Sequence, residues 1–167
     1  GELEHADSMG NQQTTSTGDV QVMSAGTGVT HSEKNKNDDQ FVKFLQIWVQ
    51  PAQLNVTPRY DQQTFHPTAM QNKLVTIVSP MGEKEGVNIY QEAWFHLGKL
   101  EKGMTLGYNL HKSGNGVYLF VLEGDVMADE FVLNRRDGLG LMNRQGLTIK
   151  GDSDAEVLVM EVPMNGV

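Results

Sequence analysis

"GDVQVMSAGTGVTHSE", residues 18–33, decides how the rest of the chain is read. Gly18 starts a strand, and Gly26 and Gly28 let the backbone turn where a Cβ would clash. A second strand follows the turn. In it His31 and Glu33 stand two residues apart, so both side chains leave the same face. An imidazole and a carboxylate on one face are two metal-capable groups, and they prompt a search for further ligands.

Bulk properties narrow the field before that search. The chain has 167 residues, a formal net charge of −8 and no cysteine, with an isoelectric point near 5.0. Its length allows one large domain or two small ones. A nucleic-acid surface needs a basic face, and the 13 Lys and Arg residues are scattered, with only Arg135 and Arg136 adjacent. Direct binding to nucleic acid or to an anionic membrane is therefore not expected. Without cysteine there are no disulfides, thiolate chemistry or cysteine-held metals, which fits a reducing compartment. No apolar run approaches the roughly 20 residues of a spanning helix, and residues 1–10 lack the build of a signal peptide. A cytoplasmic location is the expectation.

Outward from residues 18–33 the pattern is β throughout. Long helical periods are missing, and short apolar runs alternate with Gly, Asn or Asp turns. "FVKFLQIWVQ" (residues 41–50) is apolar on both alternating faces and reads as a strand covered on both sides. Residues 73–79, 87–100, 116–126, 130–143 and 155–164 are further strand candidates. "EGD" (123–125) and "RDGLG" (136–140) supply hairpin turns. Residues 10–17 read as a polar loop. Residues 51–73 hold three prolines and no periodicity, so they read as a long connection with a domain boundary inside. Gly1-Glu2-Leu3 and Gly124-Asp125-Val126 hint at an internal repeat. Trp48 and Trp94 are expected in cores, with Tyr60 and Phe65 capping a pocket mouth. The nine methionines are expected to fill cores. Strands this short and this frequent indicate an all-β sandwich or barrel.

The opening stretch resembles the second conserved motif of the cupin superfamily, with Ser24 where proline is usual and two extra residues in the turn. The finer resemblance is to the pirin family within the cupins. "HADSMGN" (5–11), residues 18–33, "LQIWVQP" (45–51), "TPRYDQ" (57–62) and "RDGLGL" (136–141) are similar to pirin segments in the pirin order. The resemblance implies tandem cupin barrels, each a double-stranded β-helix or jelly roll. Residues 1–66 would be the remainder of an incomplete N-terminal barrel that carries half of the metal site. Residues 67–167 would be a C-terminal, metal-free barrel. In the family an iron is held by a His-x-His pair and a later His-x-Glu. Matched residue by residue, His31 and Glu33 are that later pair.

The His-x-His pair has no counterpart, so the chain reads as starting inside the first barrel. His5 falls where the family carries a non-ligand histidine, and His66 lies in the proline-rich connection. His96 and His111 belong to the second half. There the frame of the first cupin motif runs from Gly103 to Gly124 with Asn109 and Val117 at two ligand positions, leaving His111 alone. His111 is read as a buried core histidine.

The resemblance implies a metal-dependent, quercetin 2,3-dioxygenase-type oxidoreductase acting on a flavonol-like small molecule. Glu33 would be the candidate base, with activity weak or absent in this chain. The alternative it implies is a non-enzymatic protein-interaction module of regulatory type. An opened barrel exposes ladder edges, so a homodimer covering the opening is expected.

Overall fold

The structure is a computed structural model and describes residues 1–164. The last three residues of the expected C-terminal domain lie outside the described residues. In chain order the first strands are β1 (Leu3–Asp7), β2 (Gln12–Thr15), β3 (Asp19–Ser24), β4 (His31–Asn35) and β5 (Arg59–Thr64). One 3-10 turn (Pro67–Met70) precedes β6 (Lys73–Pro80), β7 (Val87–Ile89), β8 (Trp94–Leu100), β9 (Thr105–Asn109) and β10 (Asn115–Glu123). The last are β11 (Val126–Ala128), β12 (Phe131–Leu133), β13 (Gly138–Leu141), β14 (Gly146–Gly151) and β15 (Ala155–Pro163).

Strand pairing departs from the order of the chain, with crossovers in every sheet. β2-β1-β4 form one sheet and β3-β5 another, while the later strands build a six-stranded sheet, β13-β10-β15-β8-β6-β7, and a four-stranded one, β12-β11-β14-β9. Between named strands, only β6 and β7 run parallel. The later chain alternates between its two sheets, β8 to β9, β10 to β11, β12 to β13 and β14 to β15, as a jelly roll does.

The sequence of β15 explains how the layers stack. Val157 and Val159 point into a core shared by the six- and four-stranded sheets, with Leu119, Val121, Val126 and Ile149. Leu158 points the other way, into a second core with Phe65, Met70, Ile77, Val87 and Phe95, against which Val20 and Val22 of β3 pack. The six-stranded sheet is thus buried on both faces, which is why β15 reads as continuous apolar sequence rather than alternation. Each such side chain contributes about 1.5–3 kcal/mol when fully buried. This second core also ties the β3–β5 sheet to the later strands.

Several expectations are corrected. Residues 41–50 form no strand, and Phe41 and Trp48 are 90% and 89% exposed. A strand needs a ladder partner for its backbone groups, and β1–β4 pairing stops at Asn35. The segment instead lies along the six-stranded sheet, where residues 47–50 line a cavity of about 460 Å³ with Phe95, Tyr118 and Met160. Residues 12–15 are a strand rather than loop, and β5 sits inside the expected connection, paired with β3. "EGD" and the start of "RDGLG" are corners between sheets rather than hairpin turns. In this part of the chain a hairpin joins β11 to β12, turning at Asp129, whose φ is +49°. Of the methionines, Met70 is in the core, but Met81, Met104, Met127, Met142 and Met164 are exposed.

Candidate metal centre

β1 and β4 are antiparallel neighbours, with His5 opposite Glu33 and Asp7 opposite His31. Directly opposed residues share a face, so two imidazoles and two carboxylates leave the same side of this sheet. The turn that launches β4 needs glycine. Gly26 has φ +53°, and a Cβ there would stand 2.0 Å from the Val56 carbonyl oxygen, which accepts a bond from Thr27 N at 3.0 Å.

His5 is fully buried at the centre of the cluster. Its Nε2 lies 3.2 Å from Asp7 Oδ2 and its Nδ1 lies 3.6 Å from Glu33 Oε1. The second distance is too long for a hydrogen bond, and Nδ1 is left without a partner. The ring centroid is 5.7 Å from that of His31 and 4.9 Å from that of Tyr60. Burial alone would push the Asp7 carboxyl up, but bonds from the side chain and backbone of Asn11, from His5 and from Met9 N outweigh it. They hold it at about 2.

The β3–β5 sheet closes the layer. Gln21 Nε2 donates to Glu33 Oε1 at 2.8 Å, and the Thr15 hydroxyl donates to Gln21 Oε1 at 2.7 Å. The Tyr60 hydroxyl donates to Gln62 Oε1 at 2.6 Å. Burial, ahead of its other influences, raises the Tyr60 hydroxyl above the usual phenol range. Tyr60 therefore belongs to this layer, and Phe65 belongs to the second core. Glu33 is half-buried, whereas His31, at the start of β4, is exposed at the rim.

His31 and Glu33 are brought to one side as expected. Sequence reading missed the second His-x-acid pair, His5 and Asp7, although its spacing repeats that of His31 and Glu33. An imidazole and a carboxylate on one face suit a transition ion, and the orphaned His5 Nδ1 marks unused polar capacity beside them. Among the described residues, however, no group of three His, Cys, Asp or Glu side chains is arranged to hold an ion. His31 and Glu33 thus share a face suited to an ion but do not by themselves make a complete ligand set among the described residues.

A second polar cluster lies in the later strands. Glu161 of β15 is fully buried and accepts from Tyr108 Oη at 2.6 Å, Asn115 Nδ2 at 2.7 Å, His111 N at 2.8 Å and Lys112 N at 3.0 Å. Burial and then Glu161 push the Tyr108 hydroxyl upward. Trp94 is buried as expected, and its ring stacks on His111. His111 is not the buried core residue expected. It is exposed, with its Nε2 3.3 Å from His96 Nε2.

Known proteins share this arrangement of strands. Residues 1–49 match the family described as "Pirin", and residues 76–162 match the "Quercetinase C-terminal cupin domain". The chain belongs to the pirin family of cupins. This pirin chain is 33% identical over 163 residues to a quercetin 2,3-dioxygenase of Escherichia coli (strain K12), covering 98% of the chain and 69% of that protein. The crystal structure of YhhW from Escherichia coli matches with a TM-score of 0.91 at 30% identity, over 100% of the pirin chain and 70% of YhhW. YhhW in complex with nickel(II) matches with a TM-score of 0.89 at 31% identity, covering 98% and 69%. No helix of the described residues is long and apolar enough to cross a membrane.

Proposed function

We propose that the chain is a pirin-type cupin that contributes His31 and Glu33 to a metal centre of quercetinase type, with iron as the ion and a flavonol-like phenol as substrate. The observation that carries this reading is the shared face of His31 and Glu33, in a layer closed by Gln21 and Tyr60. A bound ion would supply Lewis acidity and an open position for a phenolic oxygen. His31 offers a ring nitrogen at the rim, where a ligand arrives from solvent. Gln21 fixes one oxygen of Glu33, leaving the other for the ion or for the phenolic proton. With two donors grouped, retention of the ion and turnover by this chain are weak. The relative solved in complex with nickel(II) supports a metal cofactor, and the quercetin 2,3-dioxygenase relative supports the substrate class.

The reading divides the chain after His66, into a metal-bearing cupin unit and a second cupin unit. It is tested by loading the chain with iron(II) or nickel(II), then measuring retained metal and loss of quercetin absorbance. Metal-dependent turnover that falls with both His31→Ala and Glu33→Ala is expected. Turnover equal in wild type and both variants overturns the reading.

A second reading, a protein-interaction module, is favoured by one observation: the exposed apolar side chains of Phe41, Phe44, Trp48 and Leu54. A pull-down that recovers no stoichiometric partner counts against it.

A further inference from the structure

Three features of the later strands remain without a role in that reading: the His96–His111 contact, an orphaned imidazole nitrogen and a buried carboxylate. His96 sits on β8 and is 6% exposed, while His111 follows β9, which belongs to the opposite sheet. Their Nε2 atoms approach to 3.3 Å with ring planes 19° apart and centroids 5.2 Å apart. Both distances bear on what the rings are arranged to share. Two imidazole nitrogens each about 2.05 Å from one tetrahedral ion stand about 3.3 Å apart, with their ring centres about 5.2 Å apart. An N–H···N bond aligned along both ring axes over the same nitrogen separation would put the centres about 5.6 Å apart. The observed spacing matches the first arrangement, and in the metal-free chain a hydrogen bond between the two nitrogens, bent away from that alignment, holds the rings at it.

The surroundings hold both rings in place. Trp94 stacks on His111 with centroids 4.7 Å apart and planes 2° apart, and Tyr108 meets His96 edge-on at 5.0 Å. Glu161 fixes the backbone at His111 and Lys112. All four donors to Glu161 are neutral groups. His96 Nδ1 has no partner. Burial first, and then His111, lower the His96 imidazolium to about 4, so the ring is neutral near pH 7 and can offer a lone pair.

We propose that His96 and His111 form a second site, which takes a divalent transition ion of the copper, nickel or zinc type through their Nε2 atoms. Solvent completes the coordination on the His111 side, where the pair is exposed. The site departs from the metal-free barrel expected from the sequence. That expectation rested on the frame Gly103 to Gly124, whereas His96 comes from the strand before that frame. It shares no residue with the His31–Glu33 centre, and either can fail without the other.

The test uses copper(II), which the affinity order of divalent ions places highest for such donors, on metal-stripped chain carrying His31→Ala and Glu33→Ala. One copper per chain is expected, with electron paramagnetic resonance showing coupling to two imidazole nitrogens. His111→Gln, at an exposed position, should weaken binding at least about tenfold, a scale reached even by loss of outer-shell partners. His96→Gln should do the same, with circular dichroism reporting whether each variant is folded. Absence of bound copper in the double-substituted chain, or an affinity unchanged by His111→Gln, overturns the proposal.

Discussion

His96 makes stability depend on acid in a defined interval. The folded imidazole ionises near 4 and a free one near 6.5, so across that interval the unfolded chain binds the extra proton. Stability therefore falls as pH drops from about 6.5 to about 4, by on the order of 3 kcal/mol, and this contribution changes no further below. Urea unfolding of metal-stripped protein from pH 7 to pH 4 should show that slope, and His96→Gln should flatten it. Asp7 acts lower on the scale. Its folded carboxyl ionises at about 2, so its contribution is complete above the ordinary carboxylate range and disappears as pH falls through about 2. Asp7→Asn should remove that acid dependence. Glu161→Leu strands four buried or half-buried donors and should cost on the order of 3–5 kcal/mol in the same assay. At this scale the sequence was half legible. His31 and Glu33 share a face because they stand two apart in one strand, which is local geometry. Asp7 stands opposite His31, and His111 reaches His96, through cross-strand register and sheet closure, which no local spacing states.

Strands β6, β8, β10 and β15 were legible because their apolar runs are continuous and bounded by turn residues. Leu158 shows what that continuity means, since it fills the core opposite to that of Val157 and Val159. Leu158→Ala should cost about 2–5 kcal/mol in thermal or urea unfolding, and a loss under about 1 kcal/mol would contradict a two-faced sheet. Residues 41–50 have the same apolar composition and no strand. Composition sets a preference for extended backbone, but the ladder needs a neighbour, and this segment instead bridges to the later strands, with Gln50 O accepting from Gln91 Nε2 and Ala52 N donating to Tyr90 O. β2 and β5 were missed for the opposite reason. Gln12–Thr15 and Arg59–Thr64 are polar sequences that become strands because β1 and β3 offer them edges.

For the whole molecule, the resemblance carried the fold further than the apolar pattern did, because its motifs fix the order of strands rather than their mere presence. The exposed side chains of Phe41, Phe44, Trp48 and Leu54 make a contiguous stretch of sequence that a lone chain would leave in water. A homodimer that covers it should appear by size-exclusion chromatography with light scattering, and a stable monomer across the micromolar range would contradict this. The central claim, that His31 and Glu33 are metal ligands, is tested most directly by anomalous diffraction at the iron edge from crystals of the iron(II)-loaded chain. The account requires a peak within about 2.0–2.2 Å of a His31 ring nitrogen and a Glu33 carboxylate oxygen. A map with no peak between those two side chains would contradict it.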